Sequence, residues 1–179
     1  MAKLVSKTYG EALFDLAIEE DKLDVISEEV QFVSDTLSEN KDLFRLLNHP
    51  KITVEEKIKV VESIFKGRLS DTVTGFLVLV AQKGRNAELP DILSYFSNKV
   101  KEYKNIGVAS ITSATALSEK QKADMEKRLL EVTGYVSFET RYDVDESLIG
   151  GVVIRIGDRV VDSSIRTKLD KMAKALINS

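Results

Sequence analysis

The chain has no cysteine and no tryptophan, and only one histidine and two prolines in 179 residues. Without cysteine, disulfides and thiolate metal sites are excluded. A single histidine, His49, cannot build a histidine metal cluster. It has no triad partner at a recognisable spacing, and as a lone histidine before Pro50 it reads as structural or solvated. No Walker-type phosphate loop and no G-x-G-x-x-G occurs, so nucleotide hydrolysis by this chain alone is not expected. The most apolar stretch, Val73 to Ala81, falls far short of the roughly 20 residues that a membrane span needs. No charged-then-apolar leader opens the sequence, so the expectation is a cytosolic protein, or one held at a membrane only through partners.

What is present is an ordinary apolar content of 43% with a high charged content of 31%, the balance of helices with solvated faces. The net charge is −3, but residues 1–40 hold three Lys against ten Asp or Glu, a local −7. That acidic opening disfavours a nucleic-acid footprint there. It reads as a solvated surface, or as a docking face for a basic partner.

Residues 3 to about 105 are helical in pattern throughout. Val5, Tyr9, Ala12, Leu13 and Leu16 share one side of a first helix, while Leu4, Phe14 and Ile18 fall roughly opposite. A helix apolar on two sides is buried between neighbours, or faces its core on one side and a partner on the other. A second helix is predicted over Lys22–Ser38 and a short third over Asp42–Asn48, stopping before Pro50. Thr53 with Glu56 is a capping box for a fourth, which Gly67 ends. The fifth, about Leu69 to Lys83, is apolar on nearly every side and belongs in the middle of a bundle. Pro90 sits in the first turn of a sixth. Six short helices can hide only so many all-round apolar faces. The first and fifth are therefore the candidates for an exposed groove able to take an amphipathic helix.

Beyond Asn105 the pattern changes. Val108 to Ser113 reads as a strand, Ser118 to about Val132 as a capped helix, and Val136 to Tyr142 as a second strand. Then Leu148 to Arg166, L-I-G-G-V-V-I-R-I-G-D-R-V-V-D-S-S-I-R, packs a strand, a turn, a return strand and a helix start into nineteen residues. Gly157-Asp158 is a two-residue hairpin signal, with Gly first as a type II′ turn requires. Gly150-Gly151 suggests a bulge or a close backbone approach, and Asp162, Ser163 and Ser164 can each cap the last helix. The expected fold is an all-α six-helix N-terminal bundle over residues 1–105 and a small α+β domain over 106–179.

The stretch from Leu148 to Arg166 resembles the C-terminal signature of the delta subunit of bacterial F-type ATP synthases, the family of the mitochondrial oligomycin-sensitivity-conferring protein. Thr8 to Ala17 (T-Y-G-E-A-L-F-D-L-A) resembles that family's opening helix, Lys83 to Leu93 its central helix junction, and Ala116 to Gln121 a helix entry in its second domain. Gly10 departs from the family's usual small alanine and is expected to loosen the first helix slightly. The resemblance implies a non-catalytic peripheral-stalk subunit without cofactor, metal or catalytic residues, bound peripherally at the cytoplasmic face of the cell membrane through the complex. It implies that the N-terminal bundle binds an alpha-subunit N-terminal helix, carried onto Tyr9, Ala12, Leu13, Leu16, Phe76, Leu77 and Val80. It implies that the C-terminal domain meets the C-terminal ends of the b subunits. Gly150, Gly151, Arg155, Gly157, Asp158, Asp162, Ser164 and Arg166 would then be structural markers of that domain or b-subunit contacts.

Two alternatives compete. An adapter outside the synthase has the same composition. An RNA-binding α+β module is suggested by Arg155, Arg159, Arg166 and Lys168 around an apolar strand. The glycines, however, do not form the G-x-x-G loop that clamps a nucleic-acid backbone, and no aromatic platform for stacking bases accompanies them.

Overall fold

The computed structural model describes residues 2–177, which form two compact units divided between Val100 and Lys101. The division falls inside the last turn of a helix, a little before the Asn105 break in pattern. In the first unit lie α1 (Ala2–Glu19), α2 (Leu23–Glu39), α3 (Lys41–Leu47), α4 (Val54–Phe65), α5 (Asp71–Gln82) and most of α6 (Leu89–Tyr103). A 3-10 turn, Asn86–Glu88, leads into α6 and leaves Pro90 in the helix's first turn, where a missing N–H costs nothing.

Local chemistry sets these boundaries. At α4 the Thr53 hydroxyl accepts from the Glu56 N–H, and the Glu56 carboxylate accepts from the Thr53 N–H at 3.0 Å. The Thr53 N–H and then the Thr53 hydroxyl, both donating to the Glu56 carboxylate, hold it below the usual range. The fifth helix starts at Asp71, two residues later than the periodicity predicts, because Ser70 acts as its cap and accepts from the Val73 N–H. The core draws residues from every helix: Leu13 and Ala17, Ile26 with Val30 and Val33, Leu47 alone from α3, Val61 with Phe65, Val73 with Leu77 and Val80, and Ile92 with Phe96. Gly10 is no loosening defect. A Cβ there would strike the Tyr95 ring and approach the Ile92 carbonyl at 3.3 Å, so the bare backbone is what lets α6 pack this closely on α1. The Tyr95 hydroxyl then donates to Glu11 at 3.0 Å.

In the second unit β1 (Ile106–Ser113), β2 (Ser137–Val144), β3 (Val152–Ile156) and β4 (Arg159–Asp162) form a sheet ordered β2-β1-β3-β4. β1 and β2 are parallel and joined through α7 (Glu119–Thr133), while β3 is antiparallel to both β1 and β4. α7 starts on the predicted Ser118–Gln121 capping box and ends on left-handed Gly134. The β3–β4 hairpin pairs Ile156 with Arg159 around Gly157-Asp158, and only Gly157 has positive φ, the type II′ pattern. α8 (Ile165–Ile177) starts two residues after the expected Ser163.

Gly150 and Gly151 form no bulge; they precede β3 and serve close approach. Gly151 has φ +79°, and a Cβ on it would run into the Ser163 carbonyl, while one on Gly150 would meet the Ile165 side chain at 2.6 Å. Two hydrogen bonds hold this contact: Ile165 N–H to the Gly150 carbonyl at 2.9 Å, and Ser163 N–H to the Val152 carbonyl at 3.0 Å.

Candidate functional site

The first unit carries an apolar groove of about 550 Å³ between α1 and α5. Its two rims are rows at i, i+4, i+8 spacing, which lie along one face of a helix. Thr8, Ala12 and Leu16 form the row on α1, and Asp71, Gly75 and Leu79 the row on α5. All six are exposed. Leu16 is 38% and Leu79 42% accessible, although each lies on a helix whose opposite side is core. Leu13 and Phe76 form the floor, and the Tyr9 ring stands edge-on to Phe76 with centroids 6.5 Å apart.

One end of the groove is acidic. There the Glu20 carboxylate accepts from Lys22 Nζ at 3.0 Å and from the Thr72 hydroxyl at 3.1 Å, and Asp71 stands beside Thr72. The bond from Lys22 and then that from Thr72 hold the Glu20 carboxyl below its ordinary range. Among the described residues no Lys or Arg lines the groove, and Lys22 reaches its acidic end only through Glu20. The α5 rim is fixed from a distant part of the chain. Glu29 on α2 accepts from the Ser70 N–H at 2.8 Å and from the Ser70 hydroxyl at 2.6 Å, so the capping residue of α5 is itself anchored to α2.

Of the residues singled out from sequence, Tyr9, Ala12, Leu13, Leu16 and Phe76 come together here. Leu77 and Val80 do not. They are 3% and 0% exposed and belong to the core, because steps of two and five residues from Gly75 turn them to the inner face of α5. Sequence reasoning missed Thr8, Glu20, Asp71, Thr72, Gly75 and Leu79. The available signal was the Asp71-Gly75-Leu79 row, obscured by the apolarity of α5 on all sides.

The second unit also presents apolar surface. A cleft of about 880 Å³ runs between α7 and the sheet, with Leu117, Met125, Ile154 and Val161 among its walls. On α8, Ile165, Leu169, Met172 and Leu176 form an exposed stripe, 43% to 79% accessible.

The C-terminal signature residues hold this unit's local frame. Ser164 is buried and caps α8 by accepting from the Thr167 N–H at 3.2 Å. Asp162 accepts from the Thr167 hydroxyl at 2.7 Å and from the Ser164 N–H at 2.8 Å, which keeps its carboxyl below the usual range. Arg166 reaches the Ser147 hydroxyl at 3.3 Å. The Ser147 N–H donates to Asp145 at 2.9 Å, and the Asp145 carboxyl is lowered first by the Ser147 side chain, then by that N–H, and last by the Arg166 charge. Arg155 and Asp158 are exposed, and Gly150, Gly151 and Gly157 occupy the contacts and turn already described.

His49 is exposed, with Nδ1 accepting from the Lys51 N–H at 3.2 Å. Among the described residues no group of three His, Cys, Asp or Glu is arranged to hold a metal ion, and no helix is long and apolar enough to cross a membrane.

Residues 5–176 match the family model described as the ATP synthase delta (OSCP) subunit. The chain is 58% identical over 176 residues to the ATP synthase subunit delta of Lachnoclostridium phytofermentans, covering 98% of this chain and 97% of that one. It is 35% identical over 177 residues to the subunit of the same name in Alkaliphilus oremlandii, covering 98% and 97%. Among solved structures, a chain in the Toxoplasma gondii mitochondrial ATP synthase hexamer superposes with a TM-score of 0.74 at 17% identity, over 96% of this chain and 97% of that chain. That likeness is one of fold.

Proposed function

Because this chain belongs to the ATP synthase delta (OSCP) subunit family, we propose that its α1–α5 groove is the seat of an alpha-subunit N-terminal helix. The family role is structural and non-catalytic. The subunit is part of the peripheral stalk, which links the catalytic head to the membrane ion-translocating sector so that rotation drives ATP synthesis. In this reading residues 1–105 grip the head and residues 106–179 meet the C-terminal ends of the b subunits, at the cytoplasmic face of the membrane.

The observation that carries the proposal is the unfilled apolar rim. Leu16 and Leu79 stay exposed beside a floor of Leu13 and Phe76. A helix with an apolar stripe, laid between two helices, buries such surface and gains about 25 cal/mol for each Å² removed from water. The α8 stripe and the cleft beside α7 are the corresponding surfaces for the b-subunit ends. A stator joint under torque needs low dissociation, and affinity of nanomolar order or tighter is expected.

Calorimetry of the full chain against a synthetic alpha-subunit N-terminal peptide from the same synthase tests the reading. Leu79→Asp places a charge in the rim without touching the core. It should weaken binding by about 30-fold or more, the effect of losing a roughly 2 kcal/mol anchor. Equal binding by wild type and Leu79→Asp would remove the groove from the interface.

A further inference from the structure

Gly75 is exposed in the interior of α5, where glycine is a poor residue: alanine there would favour the helix by roughly 0.5–1 kcal/mol. The fold does not ask for glycine at this position. It shows no positive φ, and a Cβ built on it meets nothing within 4 Å. Gly10, by contrast, is demanded by the Tyr95 ring, and Gly151 by both its φ of +79° and the Ser163 carbonyl. The middle member of the α1 row lining the same groove is Ala12, also exposed. Each row therefore has its smallest side chain at its centre, with Leu16 or Leu79 one turn away along the same helix.

Resting on the groove reading above, we propose that Gly75 and Ala12 form a notch that receives one large apolar side chain of the docked alpha-subunit helix and so sets its register. The occupant is a helix with a large aliphatic or aromatic residue at the notch and a cationic group toward Asp71, the exposed carboxylate lining the end where Glu20 is already paired with Lys22. Gly75 is a positioning and specificity residue: its lack of a side chain is the feature the partner reads. The floor at the notch is hydrocarbon, so a polar residue entering it would lose hydration without gaining a hydrogen bond.

The test uses the full chain, the synthetic alpha N-terminal peptide, and the variants Gly75→Ala and Gly75→Leu. Because the space is open and the backbone helical, both variants should melt at or above the wild-type temperature. Gly75→Ala should bind a few-fold more weakly, and Gly75→Leu about tenfold or more so. Alanine scanning of the peptide should then find one large apolar residue whose truncation weakens binding to wild type but not to Gly75→Leu, the coupling expected of groups that share one space. If wild type binds and Leu79→Asp does not, yet Gly75→Leu binds as wild type, the notch is overturned and the groove stands. If wild type itself fails to bind, both fall. If Gly75→Leu weakens binding but no peptide residue couples to it, steric blocking without a seated side chain is the result, and the register claim is lost.

Discussion

Replacing Gly151 with alanine tests how the second unit is closed. The residue sits at φ +79°, where an L side chain costs roughly 1–2 kcal/mol relative to glycine. Its new Cβ would also overlap the Ser163 carbonyl and stand 3.1 Å from Ser164 Cα. Neither obstacle is a flexible chain end. Ser163 donates to Val152, Ser164 is buried at the start of α8, and Ile165 donates to the Gly150 carbonyl. Relief therefore means displacing the start of α8 and lengthening two hydrogen bonds, each contributing about 1 kcal/mol. The total is a loss of about 2–4 kcal/mol, a large fraction of a small unit's stability. Hydrogen-exchange mass spectrometry on the full chain resolves where the loss falls. Amides of 137–177 should exchange much faster in Gly151→Ala, while those of α1–α5 hold their wild-type rates. Unchanged protection around β3 and α8 would refute the reasoning that close backbone approach is why glycine stands here.

Ser70→Ala removes the cap of α5 and one donor to Glu29, and should cost about 1–3 kcal/mol in urea unfolding; a double-mutant cycle with Glu29→Ala should show coupling of at least about 0.5 kcal/mol. Additive effects would dissolve the α2–α5 tie. For Asp162, bonding from Thr167 and Ser164 depresses the folded pKa, so its stabilisation is complete above the unfolded value of about 3.9 and disappears as pH falls through the folded one. The stability gap between wild type and Asp162→Asn should therefore be constant from pH 5 to 7 and shrink below about pH 4. A gap that widens in acid would reverse the sign of that linkage.

The helices, strands and hairpin were legible from sequence because their signals are local. Thr53–Glu56 and Ser118–Gln121 are capping boxes whose bonds span three residues, and Gly157-Asp158 carries its own turn chemistry. The start of α5 was placed two residues early because Ser70 competes with an apolar Leu69 that looks like a first helical residue. The groove was legible as a pair of helices but not as a list of side chains. Five of the seven residues chosen line it, while Leu77 and Val80 are core. A helix apolar on nearly every side offers little with which to tell outward from inward. That choice is made by neighbours distant in sequence, such as Glu29 gripping Ser70 from 41 residues away. The roles of Gly10 and Gly150-Gly151 were hidden for the same reason, since Tyr95, Ser163 and Ile165 had to be placed first.

The two units differ in how much oil they hold. Buried hydrophobic side chains fill the first, whereas among the described residues of the second only Ala109, Ile111 and Ala114 are buried hydrophobics, all on β1 or just after it. A small unit with so thin an interior unfolds at modest free-energy cost, and anything that binds only its folded form adds RT ln(1 + [L]/Kd) to that cost. Copies waiting for assembly thus expose cleavable backbone more often than copies already installed.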